Sequence, residues 1–240
     1  MKRRRTSPSS RLPPVRRVRW TRACRILPTR YPPVALFERL GDPAAWEVLA
    51  EIEALTNPRI RDEIGEIHLV PREQRVAGPG ASWVMGAFVH RRPSRFSDGT
   101  FGVYYCANRQ ATAVAETRWH LGRFYAATAE PSLTVDMRVL LGSVDERFSD
   151  LRGSRRWHRE LAADDHAAGQ RLGKRLFAVD SNGVVYPSVR DPGGQCLGAF
   201  RPRAVGLPRP DRVLQYHWNG RWIDRVFDYR TEVWTDYAPW

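Results

Sequence analysis

The strongest local constraint on the fold is an Asn-Gly pair near the end of the chain. Asn219 and Gly220 join two segments rich in β-branched and aromatic residues, 213–218 and 221–227. An Asn-Gly pair between such segments is typical of a two-residue β-hairpin turn. We therefore expect a C-terminal β-hairpin over about residues 213–228.

Other strand-like segments are interspersed with helical ones. Residues 133–141 alternate with the period of a half-buried strand. Strands outnumber helices without strict βαβ alternation, which predicts an α+β fold with a mixed, mainly antiparallel sheet and flanking helices. The other predicted elements are an extended segment at 24–33 beginning with a short strand, a helix near 43–55, loops with a short strand at 67–70, a strand at 101–106, a helix capped by Asn108, a helix at 164–177, and strands at 183–186 and 195–200.

Positive charge is concentrated at the start of the chain. The formal net charge is +13, and residues 1–22 hold nine of the 39 Lys and Arg residues without any Asp or Glu. Removing these nine leaves only +4 for the rest of the chain. A Pro-, Ser- and Arg-rich segment of this kind predicts a disordered basic tail over residues 1–21, followed by one domain over 22–240.

The basic tail leaves a second class of protein open. A non-enzymatic nucleic-acid-binding protein would use the tail as an arm on RNA or DNA. It would add exposed aromatic side chains from among Trp218, Trp222, Trp234 and Trp240.

Cysteine usage and hydropathy indicate a cytoplasmic protein. The three cysteines, Cys24, Cys106 and Cys196, are widely spaced and odd in number, which does not suggest a disulfide framework. No apolar run approaches the roughly 18 residues of a membrane span. The basic start leads into Pro and Ser rather than an apolar signal core. We expect no membrane partner.

Common catalytic motifs are missing from the sequence. Its six histidines form no HExxH motif, so no metal site is expected. The chain has no GxSxG or P-loop motif, and its Gly-Pro-Gly at 78–80 lacks the third glycine of a dinucleotide fingerprint. A nicotinamide nucleotide would therefore need something other than a Rossmann domain.

The most informative stretch spans residues 95–116. Arg95 precedes the predicted strand, Tyr105 lies on it, and Glu116 lies on the next helix among Ala and Val neighbours. On the residues alone, an exposed Glu116 paired with Arg118 or Arg123 stays open.

This stretch resembles the core of the RES-domain family, the toxins of RES–Xre toxin–antitoxin pairs. The resemblance covers about residues 22–205, and its motifs occur in the family's order. The matching blocks are SRFSDG at 94–99, YCA at 105–107, AVAE at 113–116, QRLG at 170–173 and NGVVYPSVR at 182–190.

The family takes its name from an Arg, a Glu and a Ser, which match Arg25, Glu116 and Ser188 here. Arg30 competes with Arg25 for the first role. Ser97 departs from the asparagine frequent in the family, which leaves the finer contacts open.

The resemblance implies a fold similar to ADP-ribosyltransferase toxins and an attack on NAD⁺ as substrate, with no bound cofactor. Phosphate, water or a protein side chain would accept the ADP-ribose. Glu116 would stabilise the oxocarbenium-like transition state, and Ser188 would position a ribose or phosphate oxygen. The other implied roles are pyrophosphate binding by Arg25 and Arg95, contact of Tyr105 with the nicotinamide ribose, and substrate binding by Arg30 or Gln170.

The resemblance also implies a partner. We expect a cognate Xre-type antitoxin in a dimer-based complex, with nucleic acid contacted only indirectly through that antitoxin.

Overall fold

The chain folds around one mixed sheet. The structure, a computed structural model, describes residues 12–31, 37–38 and 65–239. In this part of the chain the strands are β1 (Val15–Pro28), β2 (Tyr104–Ala107), β3 (Leu133–Asp150), β4 (Gly183–Pro187), β5 (Gln195–Ala199), β6 (Arg209–Trp218), β7 (Ile223–Asp228) and β8 (Val233–Asp236). The α-helices there are α1 (Ala81–Val89), α2 (Gln110–Ala127) and α3 (Ala167–Ala178).

The strand order is β1-β2-β5-β4-β3-β6-β7-β8, and β1 also pairs with β3. The pairings of the first five strands therefore close on themselves, while β6, β7 and β8 extend the sheet from β3. Only β3 and β4 run parallel among the described strands. The prediction of an α+β fold with a mixed, mainly antiparallel sheet is confirmed.

The helices cover both faces of the sheet because strand residues alternate between two cores. On β4, Val185 packs in the cluster that contains α1, whereas Val184 and Tyr186 pack in the cluster that contains α3. A third cluster joins α2 to the long strand β3 and to the C-terminal strands. The candidate site described below lies on the α2 and α3 side.

The β6–β7 hairpin packs tightly on α2. Arg118 of α2 donates hydrogen bonds to the carbonyl of Ile223 and stacks 3.8 Å from the Tyr237 ring centroid. Trp218, one of the four tryptophans considered for a nucleic-acid-binding surface, is fully buried because the hairpin covers a helix instead of projecting into solvent, whereas Trp234 of the same set is 40% exposed.

Residues 15–21 do not belong to a disordered tail. They form the first half of β1, which pairs with β3 from Val15 to Trp20. Val18 points into the core, while Arg17 and Arg19 point outward and share the carboxylate of Asp145. The sequence did not predict this strand, because the carboxylate that pairs with its arginines lies more than 120 residues away in the chain.

The boundary of β1 predicts the outcome of two N-terminal deletions. We expect removal of residues 1–11 to leave the melting temperature unchanged, since these residues precede the strand. Removal of residues 1–19 should destabilise the protein, because it takes Val18 out of the core. Thermal melts of both deletions test this, and equal melting temperatures would contradict the assigned role of β1.

Three local predictions differ from the structure. Residues 67–70 form a 3₁₀ turn over Ile67–Leu69 in place of a strand, and helix α1 lies where loops were expected. Asn108 does not cap α2, because its side-chain oxygen accepts a hydrogen bond from the backbone N–H of Gln195 instead. The predicted helix near 43–55 and the side chain of Trp240 lie outside the described residues.

Candidate active site

A cavity of about 410 Å³ opens beside the point where β1 and β2 meet. The two strands pair at Cys24 and Ala107, and the next residues of β1 line the opening. This volume falls in the range of small-molecule sites, roughly 300–1,000 Å³. The lining residues are Cys24, Arg25, Ile26, Pro93, Ser94, Arg95, Tyr105, Cys106, Ala107, Ala113, Glu116, Thr117, His120, His166, Tyr186 and Cys196.

Glu116 is the acidic residue of this lining. It lies in the second turn of α2 and is half-buried. Its Oε1 accepts a hydrogen bond of 2.7 Å from the Ser188 hydroxyl. The alternative partners are engaged elsewhere, because Arg118 binds the β7 backbone and Arg123 pairs with Asp164. Glu116 is therefore directed at the cavity rather than paired on the helix surface.

Ser188 reaches Glu116 from the loop between β4 and β5. Arg109, at the start of α2, makes a salt bridge with Asp191 of this loop, and the Thr112 hydroxyl also donates to Asp191. These contacts fasten the loop to the N-terminal end of α2. Ser188 is not among the residues that line the cavity, and its hydroxyl is engaged with Glu116. The positioning of a ribose or phosphate oxygen by Ser188 stays a prediction.

Arg25 and Arg95 bring positive charge to the cavity wall. Arg25 donates to the Tyr105 carbonyl at 2.9 Å and lies 4.5 Å from the Tyr104 ring centroid. Arg95 is only 7% exposed and donates to the Ala162 carbonyl at 2.6 Å. Backbone carbonyls satisfy part of each guanidinium without neutralising it, which leaves the charge available to an anion.

Tyr105 and Gln170 hold the turn that carries Arg95. The Tyr105 hydroxyl donates to Ser94 Oγ at 3.0 Å and accepts from the Phe96 N–H at 3.2 Å. Burial raises the pKa of Tyr105 to about 12, so this hydroxyl keeps its proton. Gln170 donates to the Ser94 carbonyl at 3.0 Å from helix α3.

The structure separates the two candidates for the first arginine. Arg25 lines the cavity, whereas Arg30 is exposed and lies over the ring of its neighbour Tyr31. Arg25, Arg95, Tyr105 and Glu116 are thus brought together around one cavity, with Ser188 and Gln170 supporting it from outside.

Sequence reasoning missed three basic residues beside Glu116. His120 lies one helical turn after Glu116, and His166 precedes α3. Desolvation, with the charges of Arg190 and Arg95, lowers the pKa of both imidazoles, so both are neutral at neutral pH. Arg190 stacks on Trp119 at 3.7 Å. The i, i+4 spacing of His120 from Glu116 was the available signal.

Several nitrogens at this site are buried with no hydrogen-bond partner among the described residues. They include Nε of Arg25 and Nε of Arg190. Buried donors of this kind favour a ligand that brings acceptor oxygens, such as a phosphate or ribose group.

Neither a metal-binding cluster nor a membrane-spanning helix is present among the described residues. They contain no cluster of three or more His, Cys, Asp or Glu side chains suited to a metal ion. They also contain no helix long and apolar enough to cross a membrane.

Comparisons with known proteins define the family. The RES domain family model matches residues 72–219. An uncharacterized protein, y4oC of Sinorhizobium fredii (strain NBRC 101917 / NGR234), is 30% identical over 207 residues, which cover 85% of this chain and 85% of that protein. This chain belongs to the RES domain family, as its motifs predicted.

A solved structure is also similar at a lower level. It is the crystal structure of the M. tuberculosis MbcT–MbcA toxin–antitoxin complex, with 12% sequence identity and a TM-score of 0.41. The match covers 85% of this chain and 87% of that one.

Proposed function

We propose that this RES-domain protein is the toxin of a toxin–antitoxin pair and that it consumes NAD⁺ by cleaving the bond between nicotinamide and ribose. The observation that carries the proposal is the Glu116 carboxylate, held by Ser188 in a cavity whose wall contains Arg25 and Arg95. NAD⁺ enters as substrate, and the proposed reaction uses neither a metal nor a resident cofactor.

The carboxylate suits the charge that develops during this reaction. Departure of nicotinamide leaves oxocarbenium-like positive charge on the ribose. A carboxylate fixed beside that ribose stabilises the transition state more than the ground state, which is the condition for raising kcat. Because Ser188 and its clamped loop already orient Glu116, little reorganisation is needed as the charge forms.

The arginines suit the other half of the substrate. Guanidinium groups bind phosphate oxygens through paired hydrogen bonds. Arg25 and Arg95 would hold the pyrophosphate and Tyr105 would face the nicotinamide ribose, so that the scissile bond lies at Glu116. Arg190, stacked on Trp119 beside this group, adds to the positive potential.

The acceptor of ADP-ribose decides which reaction class applies. Phosphorolysis would add phosphate to the ribose, and hydrolysis would add water. Transfer to a protein side chain would make the chain an ADP-ribosyltransferase, which is the alternative reaction. Mass spectrometry of the products with and without phosphate distinguishes them: ADP-ribose phosphate, free ADP-ribose and a modified protein have different masses.

Replacement of the two candidate arginines tests the substrate-binding half of the proposal. We expect Arg25→Ala to raise the KM for NAD⁺ roughly 10- to 100-fold through the loss of charge-assisted hydrogen bonds. Arg30→Ala is the matched control, because Arg30 lies outside the cavity lining, and its KM should stay within about twofold of wild type. The reverse pattern would assign the role to Arg30.

A protein that drains NAD⁺ needs an inhibitor in its own cell. We propose that a cognate Xre-type antitoxin binds directly and covers the cavity, with an acidic side chain or C-terminal carboxylate against the arginines. The complex would be built on a two-fold dimer, the commonest symmetry of soluble oligomers. DNA would be contacted through the antitoxin.

Co-expression of the two proteins tests this partner. A stable complex should form and its NAD⁺ turnover should be lost. A stable complex that consumes NAD⁺ as fast as the free protein would show that the antitoxin does not cover the cavity.

A further inference from the structure

Two side chains hold the same oxygen of Glu116. The Ser188 hydroxyl donates to Oε1 at 2.7 Å, and the Cys196 thiol lies 3.6 Å from that atom with the geometry of a donor. Among the described residues, every hydrogen bond to the Glu116 carboxylate ends on Oε1. Since Glu116 lines the cavity, Oε2 is the oxygen left to face it.

The proton of Ser188 is directed at Glu116 rather than at the nearby Cys196 sulfur, because a carboxylate oxygen is a much stronger acceptor than sulfur. The Ser188 Oγ accepts hydrogen bonds from the backbone N–H groups of Arg190 at 3.1 Å and Asp191 at 3.0 Å. A hydroxyl has two acceptor sites and one proton. With both acceptor sites occupied, the proton is directed to Glu116.

Cys196 approaches from a different element. It lies on β5, is 4% exposed and lines the cavity wall, whereas Ser188 lies on the loop before that strand. Burial is the main cause that raises the pKa of the thiol, and the negative charge of Glu116 raises it further. The thiol is therefore protonated at neutral pH and acts as a donor.

We propose that Cys196 is a positioning residue, which acts together with Ser188 to fix Oε1 of Glu116 and present Oε2 to the substrate. One donor leaves a carboxylate free to swing about that contact. A second donor from another element restrains it. The inference deepens the proposed function, because it assigns the restraint on the carboxylate that the NAD⁺ reaction would use.

Three variants test the thiol by kinetics. We expect Cys196→Ala to lower kcat for NAD⁺ roughly tenfold with KM changed less than about twofold, because it removes one hydrogen bond to the reacting carboxylate. Cys196→Ser restores a donor and should recover most of this loss. Val184→Ala is the control for packing, since Val184 is a buried neighbour in the same cluster but does not line the cavity.

The kinetic outcomes show whether Cys196 acts as a hydrogen-bond donor or only through its packing. A Cys196→Ala variant with the kcat of wild type would overturn the proposal. So would a Cys196→Ser variant as slow as Cys196→Ala, or a Val184→Ala variant that loses kcat to the same extent, because both results would assign the effect to packing.

Infrared spectroscopy tests the contact without any turnover. The S–H stretch lies in a region free of other protein bands. We expect a low-frequency S–H band that disappears in Cys196→Ser and shifts to higher frequency in Glu116→Gln, whose amide is a weaker acceptor. A band unchanged by Glu116→Gln would overturn the inference. Wild-type protein that leaves NAD⁺ intact would instead refute the proposed function, and the infrared result would still decide the role of Cys196.

Discussion

Replacement of Glu116 by Gln is expected to lower NAD⁺ turnover by roughly 100-fold or more, the usual cost of removing one preorganised electrostatic group from an active site. The change removes the negative charge at almost constant shape. The amide oxygen can still accept hydrogen bonds from Ser188 and Cys196, which hold the native side chain. The fold should therefore be retained and the loss should fall on kcat.

Two measurements are needed to interpret this variant. The melting temperature should match that of wild type within experimental error, which excludes misfolding as the cause. Steady-state kinetics should then show a reduced kcat with a similar KM. A variant with unchanged melting and near wild-type turnover would exclude Glu116 as the residue that stabilises the transition state.

Replacement of Gly173 by Ala is expected to have a large effect on stability. Gly173 lies on α3 against the turn that carries Arg95, and a methyl group there would overlap the carbonyl oxygen of Phe96. Overpacking of this kind costs roughly 1–3 kcal/mol of the free energy of unfolding. It also pushes on the backbone next to Arg95, so KM for NAD⁺ should rise together with the loss of stability.

Another helical glycine supplies the control. A methyl group on Gly86 of α1 would meet no described atom within 4 Å beyond its chain neighbours and its own helix backbone. Gly86→Ala should therefore keep or slightly raise the melting temperature, through reduced entropy of the unfolded chain. Equal melting temperatures for the two variants would show that α3 can move away from the Arg95 turn without cost.

Periodic elements were predictable from the sequence because half-buried strands and turn residues leave a local signal. The β6–β7 hairpin and the alternating part of β3 are of this kind. Helix α1 gave no such signal, since most of its residues are buried and it has no polar face. The start of β1 was missed for the opposite reason, because its outward arginines need the distant Asp145.

The candidate site was predictable only in part. The family resemblance identified Glu116 and Ser188, which lie 72 residues apart in the chain but 2.7 Å apart in space. No spacing rule relates residues so far apart. Arg25 rather than Arg30 lies at the cavity because of the course of β1, which no local pattern encodes. Cys196 left no sequence signal because its contact with Glu116 arises only from the position of β5.

Release of nicotinamide is the measurement that tests the central claim most directly. Purified protein free of antitoxin is incubated with NAD⁺, and free nicotinamide is followed by proton NMR for wild type and for Glu116→Gln. We expect wild type to release one nicotinamide for each NAD⁺ consumed, and Glu116→Gln to release almost none over the same time. Folded wild-type protein that leaves NAD⁺ intact, with and without phosphate, would contradict the claim that this RES-domain protein consumes NAD⁺.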